Sequence, residues 1–281
     1  MDSYIQFPAL GINLNIDRVA FTIGGMPVYW YGIIIGIGLL LGTFFANNIA
    51  QKKGLPKDAI LDIVLFALPV SVICARLYYV IFEWEYYREH LNQIFNIRNG
   101  GIAIYGCIIG GIATGWIYCK VKKISFFKAA DSASFGLITG QIIGRWGNFA
   151  NQEAFGGNTT LPWGMTGSGI ADKLTEMARS GMAVSPELPV HPTFLYESLW
   201  NCGVLGVMWY VLRKKHGFDG AEFCTYVALY GIGRFWIEGL RTDSLMVGSF
   251  RVSQLVAVVC VFAGAALAVY CLKKSKKGEN L

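Results

Sequence analysis

Seven stretches of this chain are apolar over about the length a helix needs to cross a bilayer, roughly 20 residues. They cover residues 28–50, 59–82, 101–119, 124–145, 192–212, 221–239 and 252–272. In hydrocarbon a lone segment must satisfy its backbone N–H and C=O groups internally, so such runs fold as helices. Composition agrees: of 281 residues, 54% are hydrophobic and 15% charged, where a soluble domain carries about a quarter charged. The expected fold class is an all-α polytopic membrane protein with seven transmembrane helices, forming one integral membrane domain over 1–281.

Lysine and arginine orient these spans. The loops after the first, third and fifth read QKKGLPK, KVKKISFFK and RKKHGFDG, and the tail begins KKSKK. They hold fourteen of the 24 basic residues: Lys52, Lys53, Lys57, Lys120, Lys122, Lys123, Lys128, Arg213, Lys214, Lys215, Lys273, Lys274, Lys276 and Lys277. The other side has Arg18, Arg88, Arg98, Lys173, Arg179, Arg241 and Arg251 in longer segments. Positive residues concentrate on the cytoplasmic side, so the expected N-terminus is outside and the C-terminus cytoplasmic. The +6 net charge then reflects topology and anionic-lipid contact, and no nucleic-acid partner is implied.

No signal-peptide pattern opens the chain, since Asp2, Asp17 and Arg18 fall where an apolar core would be needed. The seven cysteines are scattered without a Cys-x-x-Cys pair, and the three histidines lie far apart, so no metal or other cofactor is expected. Residues 83–100 mix Trp84, Tyr86, Tyr87, Ile94 and Phe95 with charges. That pattern predicts an interfacial arm with its rings at headgroup level. Residues 146–191, with their glycines and prolines, predict a small extracytoplasmic head.

Arg76, Arg145 and Arg234 lie within or at the end of spans. An ionisable group there costs about 2.5–3.5 kcal/mol on insertion scales, which marks it as functional or as one half of an interhelical pair. Arg145 sits in Gly144-Arg145-Trp146-Gly147-Asn148-Phe149-Ala150-Asn151-Gln152-Glu153-Ala154-Phe155-Gly156-Gly157, an unusually polar way to end a span. In the sixth span Tyr230, Arg234, Glu238 and Arg241 fall within about 80° of one another at helical spacing, with Arg234 and Glu238 as an i,i+4 pair. A third cluster runs His191-Pro192-Thr193-Phe194-Leu195-Tyr196-Glu197, and its Tyr196 and Glu197 exceed what capping a helix requires. Interfacial aromatics open the first span, Tyr29-Trp30-Tyr31-Gly32, and the third, which contains Tyr105.

All these clusters fall toward the outer side of the predicted topology. Paired arginines suit a phosphate or carboxylate, which the guanidinium fork binds bidentately. In a membrane the natural anion is a phospholipid headgroup. From the residues alone a lipid-headgroup enzyme and an anionic-lipid or anion transporter fit about equally. A transporter more often shows repeated halves, and no repeat is visible. A seven-span receptor would not need three clusters of Gly, Asn, Arg and Glu.

The motifs resemble those of the bacterial phosphatidylglycerol–prolipoprotein diacylglyceryl transferases. That family's signature, Gly-Arg-x-Gly/Ala-Asn-Phe-x-Asn-x-Glu-x-x-Gly, stands here as Gly144, Arg145, Gly147, Asn148, Phe149, Asn151, Glu153 and Gly156. The His-Pro-Thr-x-Leu-Tyr-Glu and Tyr-Gly-x-Gly-Arg-Phe segments follow in order at 191–197 and 230–235. Three positions depart. Ala150 stands for a larger apolar residue, Phe194 for a Gln carried by many members, and Tyr105 for a histidine considered for the base role.

The resemblance implies a bacterial cytoplasmic-membrane enzyme with its active site toward the outer leaflet. It would move diacylglycerol from phosphatidylglycerol to the lipobox cysteine of prolipoproteins. It implies catalytic roles for Arg145 and Arg234 on the phosphate, with Tyr105 and Glu153 beside them. Headgroup contacts would come from Asn148, Asn151, Tyr31 and Tyr230, and Gly156 would permit close backbone approach. Glu153 and Glu238 would orient the arginines.

Overall fold

The computed structural model describes residues 4–97, 100–214, 218–248 and 250–276. Arg98, Lys215 and Lys277 of the charge pattern lie outside them. The chain is mostly helical. Its long helices are α1 (Trp30–Lys52), α2 (Ala59–Phe82), α4 (Ile104–Lys122), α5 (Phe126–Asn151), α7 (Thr193–Lys214), α8 (Ala221–Leu240) and α9 (Val252–Lys276). Shorter ones are α3 (Trp84–Tyr87) and α6 (Ser168–Arg179).

Among the described residues four helices, α1, α2, α4 and Val252–Ser275 of α9, are long and apolar enough to cross a membrane. They turn large apolar side chains outward, such as Leu40, Leu65, Val121 and Phe262. In α5, α7 and α8 the polar residues point into the bundle instead, and Asp131, Glu197, Asn201 and Glu238 are buried. α5 packs on α1, α7 and α8, and α8 packs on α9. α2 pairs mainly with α4.

Small residues set these approaches. Gly38, Gly42 and Ala46 follow one another at helical spacing on α1 and face Gly136 and Gly140 of α5. A Cβ on Gly42 would lie 2.6 Å from the Gly136 carbonyl oxygen. Lipid tails are as apolar as leucine, so close backbone contact replaces the hydrophobic effect in holding such helices together.

α1 and α5, and likewise α8 and α9, run antiparallel, while α5 and α8 run parallel, so two ends of the bundle can be told apart. At one end Lys53 Nζ meets Asp131 Oδ2 at 2.8 Å and Glu222 Oε2 at 2.7 Å, tying α1, α5 and α8. The opposite end carries the three motifs.

Short strands modify the all-α expectation. β1 (Tyr4–Phe7) pairs antiparallel with β2 (Ile12–Asn15) and with β5 (Thr166–Gly167), placing Ile5 opposite Leu14 and Gly167. β3 (Val19–Ile23) and β4 (Met26–Tyr29) form a hairpin. Its turn residues Gly24 and Gly25 have φ of 55° and 82°, the positive pair that a two-residue hairpin turn demands. β6 (Met246–Val247) and β7 (Phe250–Arg251) form a second hairpin before α9.

Segment 146–191 begins while α5 is still helical, and α5 ends only at Asn151. Its remainder packs with the N-terminal strands around Ile5, Phe149, Phe155, Met165, Ile170, Leu174, Val190 and Phe194. α6 supplies Ile170, Leu174 and Met177 from one face, as its apolar spacing requires. This small core seats the head on the ends of α5 and α7. Fully burying such a side chain is worth about 1.5–3 kcal/mol.

Arg76 belongs to the arm. Its guanidinium donates to the carbonyls of Gln93 (2.6 Å), Ile94 (2.8 Å), Gly100 (3.0 Å) and Gly101 (2.8 Å), and it stacks on Tyr87. A buried arginine at the end of α2 thus organises the turn of 83–100.

Candidate active site

Arg145, Asn148 and Asn151 share one face of the last turns of α5. The helix stops at Gln152, whose left-handed φ of 53° turns its N–H back to the Asn148 and Phe149 carbonyls. Ala154 is also left-handed at φ 57°, a conformation that costs a non-glycine residue roughly 1–2 kcal/mol. The reward is orientation. The turn folds Glu153 back so that its Oε1 accepts from Asn148 Nδ2 at 3.0 Å and Asn151 Nδ2 at 3.5 Å. The Thr193 hydroxyl donates to the Ala154 carbonyl and pins the turn to α7.

Gly156 closes this strap. Its N–H donates to the His191 carbonyl at 3.0 Å, and the Gly157 N–H donates to Leu240 O at 2.9 Å. A Cβ at Gly156 would lie 2.8 Å from His191 Cβ and 2.9 Å from Leu240 O. The close approach expected at Gly156 is therefore made to the ends of α7 and α8.

The arginines meet through Glu197, on the first turns of α7. Arg145 Nη2 lies 2.5 Å from Glu197 Oε1, and Arg234 Nη1 lies 3.2 Å from Oε2 of the same carboxylate. Arg234 Nη2 then lies 2.5 Å from Glu238 Oε2. Glu197 and Glu238 are each 2% exposed, so both guanidiniums are fixed by buried carboxylates. Arg145 Nη1 also donates weakly to Asn148 Oδ1, at 3.4 Å. Each guanidinium carries five N–H donors, which leaves several free to take phosphate oxygens.

The expectation that Glu238 holds Arg234 agrees with this geometry. Glu153 differs, because its hydrogen bonds go to the asparagines rather than to an arginine. Arg241 leaves the α8 face: its ψ of 148° ends the helix, and its guanidinium forks onto Asp243 at 2.9 and 2.8 Å.

Tyr230 and Tyr105 lie beside this chain of charges. Tyr230 stacks on Tyr226 with ring centroids 5.7 Å apart and lies within electrostatic reach of Glu197, Arg145 and Arg234. Tyr105 lies within electrostatic reach of Arg234 and Glu238. Tyr31 lies across Gly147, where a Cβ would come within 2.9 Å of its ring. Phe194 packs at a tilt against Phe149, with ring centroids 4.6 Å apart, and meets Trp146 edge-on at 5.4 Å, so ring packing occupies the place of a polar side chain.

Glu197 was visible in the sequence only as one of a surplus polar pair, without an assigned role. Arg18 and Lys173 carried no site signal at all. Both line a cavity of about 520 Å³ with Val28, Tyr29, Tyr31, Gly32, Asn151 and Glu153. That cavity opens beside Asn151 and Glu153 rather than over the arginine pair.

The model of the prolipoprotein diacylglyceryl transferase family matches residues 18–270. The chain belongs to this family. Among curated relatives, the phosphatidylglycerol–prolipoprotein diacylglyceryl transferase of Clostridioides difficile strain 630 is 47% identical over 93% of this chain and 98% of its own. That of Bacillus cytotoxicus is 50% identical over 96% of each chain, and that of Bacillus anthracis 45% over 96% of each. In this member of the prolipoprotein diacylglyceryl transferase family, the three sequence motifs converge at one end of the bundle. Glu197 of the second motif joins Arg145 of the first to Arg234 of the third.

Proposed function

We propose that this protein transfers the diacylglyceryl group of phosphatidylglycerol to the thiol of the lipobox cysteine of a prolipoprotein. A thioether forms and glycerol phosphate leaves. The observation that carries this reading is the carboxylate-bridged pair Arg145–Glu197–Arg234.

The product requires the sulfur to attack an sp³ carbon, the glycerol carbon bound to the phosphate oxygen. A carbon–sulfur bond forms, the carbon–oxygen bond breaks, and its electron pair stays on the phosphate oxygen. The thiol proton is lost, so the released glycerol phosphate and that proton balance the reaction. Negative charge grows on the phosphate during the step. Guanidiniums already fixed by Glu197 and Glu238 stabilise that charge without reorganising, which is the main source of rate in such sites. Arg234, held between two carboxylates, acts on the leaving oxygen, and Arg145 holds the phosphate together with Asn148. Asn151, Tyr31 and Tyr230 complete the headgroup pocket.

The nucleophile comes from the substrate. A free thiol has a pKa of about 8.5, so a few per cent is ionised at neutral pH, and nearby arginines raise that fraction. Tyr105 orients the headgroup by hydrogen bonding, since an ordinary tyrosine pKa of about 10 suits a base poorly.

The topology belongs to the same proposal. All seven long helices cross the bacterial cytoplasmic membrane, with the Lys53 end cytoplasmic and the Arg145 end at the outer leaflet. Segment 83–100 lies in the outer interface, and the remainder of 146–191 forms the extracytoplasmic head. The charge asymmetry supports this orientation.

The deciding experiment incubates purified protein with labelled phosphatidylglycerol and a peptide containing the lipobox cysteine. The expected result is a mass gain of one diacylglyceryl group that disappears when the peptide cysteine is serine. No gain from folded, detergent-stable protein would overturn the assignment.

A further inference from the structure

Glycine is a poor helix former, yet α8 carries two glycines just before Arg234, and a neighbouring helix takes the space beside each. At Gly231 a Cβ would lie 2.9 Å from the Ala257 carbonyl oxygen of α9. At Gly233, which is buried, it would collide with the indole nitrogen of Trp200 on α7 and lie 2.8 Å from its Cε2. Two residues along a helix are about 200° apart, so the two slots open on nearly opposite sides of α8. The helix is held between the backbone of α9 and one side chain of α7.

Trp200 is itself fixed. Its Nε1 donates to the Leu229 carbonyl of α8 at 2.9 Å, one turn before Gly233. The ring also packs against the buried cluster that contains Phe135, Ile138, Val204 and Met208, and interiors of this density leave a ring little room to retreat. Trp236 of α8 meets the indole edge-on, with centroids 6.1 Å apart, and stacks on Tyr196 of α7 at 6.2 Å. The Tyr196 hydroxyl accepts from Trp163 Nε1 of the head at 2.7 Å. Rings from α7 and α8 thus alternate from the head down to the Gly233 slot.

This clasp lies at the level of the charges. Glu197 precedes Trp200 by three residues on α7, and Arg234 directly follows Gly233 on α8. The Arg234–Glu238 pair is set within α8, whereas the 3.2 Å between Arg234 Nη1 and Glu197 Oε2 depends on how closely α7 and α8 approach. We propose that Trp200, seated in the Gly233 slot, is a positioning residue for the transfer: it fixes the α7–α8 spacing and so the placement of the Arg234 guanidinium on Glu197. This rests on the transferase reading, in which Arg234 acts on the leaving phosphate oxygen. The indole acts through Arg234 and takes no part in the chemistry itself.

The test uses the full-length protein in detergent, with phosphatidylglycerol and the lipobox peptide, and the variants Gly233→Ala, Trp200→Val and their double. Gly203→Ala, whose methyl would meet nothing within 4 Å, is the control. Gly233→Ala should lower kcat by about tenfold to a hundredfold with a smaller change in KM, since a misplacement of about 1 Å costs up to that much. Trp200→Val removes all three indole atoms that the new methyl would meet, so the double variant should regain activity over Gly233→Ala alone. In an Arg234→Lys background Gly233→Ala should cost far less, because the guanidinium it misplaces is already gone. Trp200→Phe, which keeps a ring but loses the donor to Leu229, makes the same comparison should Gly233→Ala not fold; about a threefold fall in kcat is expected, the scale of one neutral hydrogen bond.

Thermal unfolding reads the same coupling without activity: the slot variant should lower Tm more in the unaltered protein than in Glu197→Gln, where the bridge is already weakened. Where the unaltered protein transfers, a slot variant with unchanged kcat, or with the same loss in the Arg234→Lys background, overturns the positioning role while the transferase reading stands. Where it transfers nothing, the transferase reading falls and the thermal cycle decides. A smaller Tm loss in Glu197→Gln then keeps Trp200 as the spacer of the Glu197–Arg234 bridge, and equal losses overturn that as well.

Discussion

Arg145 and Arg234 share a single carboxylate: each guanidinium holds one oxygen of Glu197. Two cations on neighbouring helices would repel each other in a low-dielectric interior, and the shared anion turns that repulsion into a fixed geometry. The bridge also makes the two residues act as a unit.

Replacing Glu197 with Gln keeps the shape and removes the charge. The expected outcome is a fall in kcat of about tenfold or more, with a smaller change in KM, because a residue that orients charge for the transition state acts chiefly on kcat. In a double-mutant cycle with Arg145→Lys the losses should be less than additive, as for residues in one ion-pair network. Strict additivity would show that the bridge does not couple the two arginines.

Arg234→Lys keeps a positive charge but loses the fork that spans Glu197 and Glu238. A fall in kcat of about 10²–10³ is expected, the range for losing one preorganised donor at a developing oxyanion. Full activity in steady-state assays would remove Arg234 from the reaction.

Arg76→Met should release the arm. Four backbone carbonyls lose their donor, and charge-assisted hydrogen bonds are worth about 1.5–3 kcal/mol each. Limited proteolysis should cut within 83–100 in the variant far faster than in the unaltered protein.

Glycine replacements separate packing from chemistry. Gly42→Ala pushes a methyl to 2.6 Å from the Gly136 carbonyl oxygen, whereas Gly36→Ala meets nothing within 4 Å. The first should cost about 1–3 kcal/mol, the usual range for overpacking, and the second little. Thermal unfolding in detergent compares them.

Burial lowers the pKa of His191 below the ordinary 6.5. Between that lowered value and 6.5 the unfolded state binds more protons than the folded one, so stability rises with pH across that window. Acidification from pH 7 should therefore lower Tm as the pH falls through 6.5 toward the folded pKa. His191→Gln should flatten that part of the profile.

Much of this was legible in the sequence because it is local. Apolar runs and lysine-rich loops depend on neighbours along the chain, and the three motifs bring their own residue order. The Gly24-Gly25 hairpin was equally local, with apolar residues on both sides, but it falls within the first 29 residues, before the first long helix. The i,i+4 spacing of Arg234 and Glu238 foretold their ion pair. Glu153 looked like an arginine partner for the same reason of proximity, and the left-handed turn at Gln152 and Ala154 aimed it at the asparagines instead.

By itself, then, the chain's order of residues determined the helical segments, the charge asymmetry and the family. Only tertiary structure decided that Glu197 joins the arginines, that Arg76 serves the arm, and that Arg18 and Lys173 face one cavity with Glu153. The physical reason is range. Helix formation follows from backbone hydrogen bonds four residues apart, whereas ion pairs and cavities depend on which helix faces lie together. In this bundle small residues such as Gly42 and Gly136 set those faces by close contact.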